Sequence, residues 1–278
     1  KAREGVKVKI IIDRVGHFWY GSVNKREFEG AGVEVLLFNR WFYHSHRKVL
    51  IIDGEKAFLG GVNVRGEYAK WPDLHVSLTG ILVKRLLHSF SRVYALAGGL
   101  DGSVLGLRKS PEVIKARRAL YKAKSWLLER WPIRGQSILR GYYIKKCAEA
   151  KNKITIVTPY FIPHNWLIKS LRRAQARGVK IEVIVPRKTD VWFADLAHRV
   201  FARDLPFINF FFSPEMNHAK VLLIDDREGM VGSNNIDAQS FDFNLEASVA
   251  FHRKDMVGDL RQIVDGWKRS AIPADPAR

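Results

Sequence analysis

Cysteine is nearly missing from this 278-residue chain. Cys147 stands alone, so no internal disulfide can hold the fold, and it sits in no zinc or reactive-thiol pattern. A buried, packed thiol is its expected state. Long apolar runs are missing too. The stretches at 33–38 and 207–212 are strand-length and interrupted by Glu34 and Asn209. They fall far short of the roughly 18 residues that a membrane-spanning helix needs. Acidic residues are scarce: 28 Asp and Glu stand against 47 Lys and Arg, a formal charge of +19. Such an excess implies an anionic partner, and both nucleic acid and an anionic membrane surface qualify. Apolar residues, by contrast, make up 47% of the chain and aromatics 12%, which excludes a disordered polymer and suffices for a substantial core.

The chain repeats itself. Residues 2–12 read Ala-Arg-Glu-Gly-Val-Lys-Val-Lys-Ile-Ile-Ile, and residues 176–185 read Ala-Arg-Gly-Val-Lys-Ile-Glu-Val-Ile-Val. Each is the pattern of a helix end, a glycine stop and an apolar strand. Gly5 lies 41 positions before His46 and Gly178 lies 40 before His218, so the offsets match as in an internal duplication. Before Gly178 the second copy has a strand at 154–158 and an amphipathic helix at about 165–177, with Leu167, Leu171 and Ala174 on its apolar side. The first copy begins at Lys1, without room for either, so about 25 or more residues are expected to precede it, by analogy with the second copy. Alternating strands and helices predict an α/β architecture. The expected organisation is a first repeat over 1–97, a basic linker over 98–136 containing a helix at 111–130, and a second repeat over 137–278. In that linker Trp126, Leu127 and Leu128 would pack on the body or touch a membrane interface.

Each copy carries a His-x-Lys-x4-Asp motif. The first is His46, Lys48 and Asp53, followed by Gly60, Gly61 and Asn63. The second is His218, Lys220 and Asp225, followed by Gly232, Ser233 and Asn235. The residues after each Lys are β-branched or Leu, hence strand, so each His and Lys share one face. The Asp ends the strand, where it can bond backbone or support a turn. The Gly61 and Ser233 pairs with their preceding glycines let backbone approach the His–Lys face. On a phosphodiester, Lys48 and Lys220 would offset charge on the phosphoryl oxygens, and Asn63 and Asn235 would donate to them. One neutral imidazole is a competent nucleophile, and a second is a competent proton donor to the leaving alkoxide. Asp73, 20 positions after Asp53, and Glu246, 21 after Asp225, are the candidate carboxylates that orient the two imidazoles.

These residues closely resemble the phospholipase D superfamily, whose signature is this duplicated motif, and within it bacterial cardiolipin synthases. The segment Thr158-Pro159-Tyr160-Phe161-Ile162-Pro163, the His46-Arg47-Lys48 form of the first motif, Gly60-Gly61-Val62-Asn63, and Asn244-Leu245-Glu246 carry the second resemblance. The resemblance implies two α/β lobes related by a pseudo-twofold axis with the site between them. It implies His46 as nucleophile and His218 as acid and base, although the near-symmetry of the motifs does not set that order. It further implies transfer of a phosphatidyl group from phosphatidylglycerol to a second lipid, association with a bacterial inner membrane, and Tyr160, Phe161 and Trp166 along the lipid path. No metal or cofactor is expected. His44 and His46 lie two apart, but no carboxylate or Cys cluster accompanies them and Lys48 would repel a cation. Two other readings remain at this point: a nuclease or hydrolase of the same superfamily, and a non-catalytic module that binds anionic membrane or nucleic acid. The insert at 80–137 carries no motif. His17, His75, His88, His164, His198 and His252 show no pattern and are expected to be surface or satisfied structural residues.

Overall fold

The structure, a computed structural model, describes residues 1–14, 25–39, 43–63, 66–109, 125–131 and 138–274. The first half contributes β1 (Lys9–Asp13), α1 (Lys25–Gly30), β2 (Glu34–Phe38), β3 (Lys48–Ile52), β4 (Lys56–Gly60), β5 (His75–Thr79), α2 (Ile81–Leu96) and α3 (Gly102–Gly106). Then come β6 (Ser125–Arg130), α4 (Ile138–Glu149), β7 (Lys153–Val157), α5 (Asn165–Gln175), β8 (Lys180–Pro186) and α6 (Trp192–Asp204). The chain closes with β9 (Asn209–Ser213), β10 (Val221–Ile224), β11 (Glu228–Gly232), β12 (Glu246–Phe251), α7 (Lys254–Ser270) and the two-residue β13 (Ile272–Pro273).

The duplication is visible in backbone geometry. Gly5 and Gly178 both have φ of 90°, the left-handed region open to glycine. In both, the next N–H reaches back five residues, Val6 to the Lys1 oxygen and Val179 to the Ala174 oxygen, each at 3.2 Å. That closure ends the turn and launches the strand. β1 then pairs in parallel with β2 as β8 does with β9, and the β3–β4–β5 meander matches β10–β11–β12. In the second half β7 lies between β8 and β10 and joins everything into one eight-stranded sheet, ordered β13-β9-β8-β7-β10-β11-β12-β6. No described residue holds that bridging place in the first half, where β1–β2 and β3–β4–β5 are separate sheets.

Period-two alternation divides the central strands between two cores. Ile154 and Ile156 of β7, Val183 and Val185 of β8, and Leu222 and Ile224 of β10 face a core that includes Leu167, Leu171 and Ala174 of α5. Val157, Ile184, Val221 and Leu223 face the other way, into a core shared with Ala57, Leu59 and Leu78 of the first half and Val257, Leu260 and Val264 of α7. This second core is the joint between the halves. Cys147 is buried, as its isolation implied.

One expectation is overturned. Residues 111–124 of the basic helix expected at 111–130 lie outside the described residues, but residues 125–130 are strand, not helix. β6 pairs with β12 along its whole length. The exposed ladder of β12 supplies hydrogen bonds that outweigh the weak helical preference of Ser-Trp-Leu-Leu-Glu-Arg. Trp126 sits edge-on to His252 at 4.5 Å, and Leu127 enters the shared core, so this segment packs on the body.

Candidate active site

β10 runs antiparallel to β7 with Val221 opposite Val157. The residues leading into β10, His218 to Lys220, therefore sit at the C-terminal end of the parallel strands β7 and β8, where open α/β sheets hold their ligands. Each motif is docked on the opposite half. The His46 N–H donates to the Leu245 oxygen at 3.0 Å, and the Leu245 N–H donates back to the His44 oxygen at 2.7 Å. The His218 N–H donates to the Pro72 oxygen at 2.8 Å.

The side chains cross in the same way. His46 Nδ1 lies 3.1 and 3.2 Å from the two carboxylate oxygens of Glu246. His218 Nδ1 lies 2.7 Å from Asp73 Oδ2. The orienting carboxylate of each histidine thus comes from the other motif's half, a pairing that matched offsets alone leave open. With Nδ1–H donated to a carboxylate, Nε2 is the nitrogen that carries the lone pair on both rings. Lys220 Nζ donates to His218 Nε2 at 2.8 Å, and Lys48 Nζ donates to the His46 oxygen at 2.7 Å.

The two halves differ in how they hold their carboxylate. The Ser233 hydroxyl donates to Glu246, and Asn244 Nδ2 adds a bond at 3.3 Å. Gly61 holds the matching place beside Asp73, and a Cβ there would stand 2.2 Å from Asp73 Oδ1. Burial tends to raise the Glu246 carboxyl, but His46, Lys48 and Ser233 outweigh it and the net shift is downward. Burial raises Asp73, with Lys220 opposing only in part. Burial, followed by the charges of Lys220, Lys48 and His46, pulls His218 down, so it stands as a neutral imidazole. Burial also lowers Lys48 to about 8 and takes Lys220 well below its ordinary value. Burial that makes the cationic forms of Lys48, Lys220 and His218 costly suits a site that receives an anion.

Not every expected residue is here. Asp53 and Asp225 are not part of the site. They occupy the tight turns at the far ends of β3 and β10, with φ of 52° and 53°, about 16 Å along the strand from the lysines. Asp225 accepts from the N–H groups of Lys151, Asn152 and Lys153 at 2.7 to 2.9 Å, so it ties the turn to the start of β7. The first glycine of each pair admits neighbouring chain rather than a ligand: a Cβ on Gly60 would stand 1.9 Å from the Leu74 oxygen, and one on Gly232 1.9 Å from Ser248 Oγ. Phe161 is fully buried against Phe201 and Phe210 and lines no path. Trp166 packs on Phe241 at 5.0 Å, and the Tyr160 hydroxyl donates to Asp190. His198 is satisfied by the Phe161 N–H and the Pro186 oxygen, and His164 and His252 face Asp242 and Glu228. His75 accepts from the Val62 N–H. His17 lies outside the described residues.

Asn63, half-buried, follows β4, and Asn235 is buried with its side-chain oxygen lacking a partner among the described residues. Asp237 went unnoticed in the sequence. Its carboxyl is raised, first by burial and then by Glu246, and it acts electrostatically on Lys220. Its place two residues after Asn235 was the available signal. Trp71, whose ring lies 5.7 Å from that of His218, also went unnoticed. So did Arg130, which donates to the oxygens of Phe241 and Asn244 and braces the loop before Glu246. Among the described residues no three His, Cys, Asp or Glu side chains are grouped to hold a metal ion, and no helix is long and apolar enough to cross a membrane.

Comparison with known proteins agrees with this architecture. Residues 143–267 match a family model described as cardiolipin synthase, PLD-like domain. Cardiolipin synthase A of Pseudomonas entomophila is 31% identical over 270 residues, covering 90% of this chain and 54% of that protein. Cardiolipin synthase 2 of Bacillus anthracis is 28% identical over 291 residues, covering 96% of this chain and 54% of that protein. Among solved structures, phosphatidylserine synthase of Haemophilus influenzae superposes with a TM-score of 0.70 at 15% identity, covering 96% of this chain and 75% of that one. Polyphosphate kinase of Porphyromonas gingivalis gives 0.64 at 14%, covering 99% and 41%. The second half of the chain thus matches a PLD-like domain, and most of the chain matches cardiolipin synthases. Among the relatives matched along its length are bacterial cardiolipin synthases, and it spans about half the length of those proteins.

Proposed function

We propose that this chain carries a phosphatidyltransferase centre that takes the phosphatidyl group of phosphatidylglycerol through a phosphohistidine to the hydroxyl of a second lipid, forming cardiolipin. The observation that carries this reading is the crossed pair, His46 on Glu246 and His218 on Asp73, with Lys48 and Lys220 beside them. A phosphodiester anion entering between the imidazoles favours the protonated state of both lysines, which then offset charge on its oxygens. Asn63 and Asn235 are the candidate amide donors to those oxygens, each through its Nδ2. One Nε2 attacks phosphorus as the P–O bond to glycerol breaks, and the leaving alkoxide takes the proton of the other imidazolium. That imidazole then removes the proton of the acceptor hydroxyl, whose oxygen bonds phosphorus and releases the first Nε2.

Family resemblance assigns the attack to His46. The electrostatics favour a second order. His218 is held neutral, so its Nε2 lone pair can attack once Lys220 turns to the phosphate, while Glu246 beside His46 is held anionic. Single-turnover trapping separates the two. The variant lacking the nucleophile forms no labelled protein, whereas the variant lacking the acid and base accumulates or slowly forms it.

The overall reading is tested with phosphatidylglycerol vesicles in EDTA. The expected result is cardiolipin and free glycerol from the parent and neither from His46→Ala or His218→Ala. Phosphatidic acid in place of cardiolipin makes water the acceptor. DNA cleavage without lipid product makes the centre a nuclease. Lipid products undiminished in both variants would falsify the two-histidine mechanism.

A further inference from the structure

The edge of the sheet that holds the histidines carries a second feature. β8 ends at Pro186, and the chain passes through the exposed Arg187 and Lys188 into α6. One side of α6 is clamped to the body by the buried Ala194 and His198, the latter bonded to Phe161 and Pro186. The acids of this stretch are engaged within the protein: Asp190 accepts from the Tyr160 hydroxyl and Asp195 from the Thr189 N–H. On the outer side Trp192 is 76% exposed, Phe193 53% and Leu196 56%. Arg199, also exposed, continues the same stripe at helical spacing. Phe243, 52% exposed, ends the helical turn Gln239–Phe243 in the segment after β11, which bridges to the 158–163 loop through the Ile162 N–H and the Ile236 oxygen.

Single exposed apolar side chains are ordinary, but three within five positions of one clamped helix mark a partner. Arg187, Lys188 and Arg199 make no ion pair among the described residues, so this rim is positively charged. A second copy bearing the same +19 would be repelled from it. Nucleic acid has a use for exposed aromatic faces but none for Leu196. An anionic bilayer uses all six residues, apolar side chains among the acyl chains and cations on the lipid phosphates.

We propose that Trp192, Phe193 and Leu196 form a wedge that enters the interfacial layer of an anionic bilayer while Arg187, Lys188 and Arg199 bind its phosphates, seating the rim of the site on the membrane. This rests on reading the substrate as a phospholipid within a bilayer.

Co-sedimentation of the 278-residue chain with vesicles of phosphatidylglycerol and phosphatidylcholine tests the wedge. The triple variant Trp192→Ser, Phe193→Ser, Leu196→Ser is expected to bind about tenfold more weakly or worse, with its thermal unfolding and its cleavage of a soluble diester, bis(4-nitrophenyl) phosphate, unchanged. Trp192→Ser alone, the most exposed of the three, gives a partial loss and guards against a folding defect. Arg187→Ser, Lys188→Ser, Arg199→Ser is expected to abolish the preference for phosphatidylglycerol over pure phosphatidylcholine. Parent-like binding by the apolar variant overturns the proposal, as does a parent that ignores vesicles. Loss of single-stranded DNA binding in the apolar variant with vesicle binding intact overturns it too, and so does a shift from dimer to monomer with vesicle binding intact. Wedge-dependent binding without any lipid product refutes the phosphatidyl transfer and leaves the wedge standing. Lipid product with a parent-like apolar variant does the reverse.

Discussion

Under the proposed function the chemistry turns on single positions, Lys48 and Gly61 among them. Burial brings the Lys48 ammonium down to about 8, so it gives up its proton sooner than an exposed lysine does. The protonated form is the one that offsets phosphoryl charge. We therefore expect kcat/KM to fall as pH rises through about 8, and Lys48→Arg to move that limb upward, read from a pH profile of lipid turnover. Gly61 matters for a different reason. A methyl group there meets Asp73 Oδ1 at 2.2 Å and displaces the carboxylate that orients His218. Gly61→Ala is expected to lower kcat by about 10- to 100-fold, the usual cost of losing an outer partner of a functional histidine, with little change in unfolding temperature. A glycine followed by a small residue after each motif, Gly60-Gly61 and Gly232-Ser233, was legible in the sequence. That its role is room for a carboxylate was not, because the neighbouring strand arrives from a separate stretch of chain.

The turns and edge strands separate structural from chemical roles within one motif. Asp225 belongs to the same His-x-Lys-x4-Asp signature as His218, yet it holds three backbone N–H groups at the start of β7. Asp225→Ala is expected to lower stability by about 1–3 kcal/mol in urea titration while the folded fraction keeps its turnover. The pH sign follows from the bonds. Burial opposes them, but the three N–H donors leave the folded Asp225 below its ordinary 3.8. Its stabilisation is present above that value and is lost as pH falls through the folded pKa, so the variant's stability should be flatter in acid. β6 is the opposite lesson. Its Ser-Trp-Leu-Leu-Glu-Arg sequence, embedded in a basic stretch, reads locally as helix, and only the unpaired edge of β12 makes it a strand. Arg130 at its end holds the Phe241 and Asn244 oxygens. Arg130→Met should slow turnover by loosening the loop that leads to Glu246, a loss visible in kcat before it is visible in melting.

Across the whole molecule the two halves are interdependent, since each histidine is oriented by a carboxylate from the other half. Double-mutant cycles on lipid turnover make that testable. His46 with Glu246 and His218 with Asp73 should couple strongly, so that the second substitution adds little to the first. His46 with Asp73 and His218 with Glu246 should come much closer to additivity. Strong coupling within each half instead would contradict the crossed arrangement.

The duplication, the strands behind each lysine, the glycine turns at Gly5 and Gly178 and the identity of the four histidine and lysine side chains were all readable along the chain. Each is written in local periodicity and turn preference, which act over a few residues. The pairing of histidine with carboxylate, the strand at β6, the brace at Arg130 and the lowered pKa of Lys48 came only with the folded chain. His218 and Asp73 lie 145 positions apart and His46 and Glu246 200. Contacts over such separations, and the loss of water that shifts a buried ammonium, depend on how the halves pack, and no local pattern encodes that.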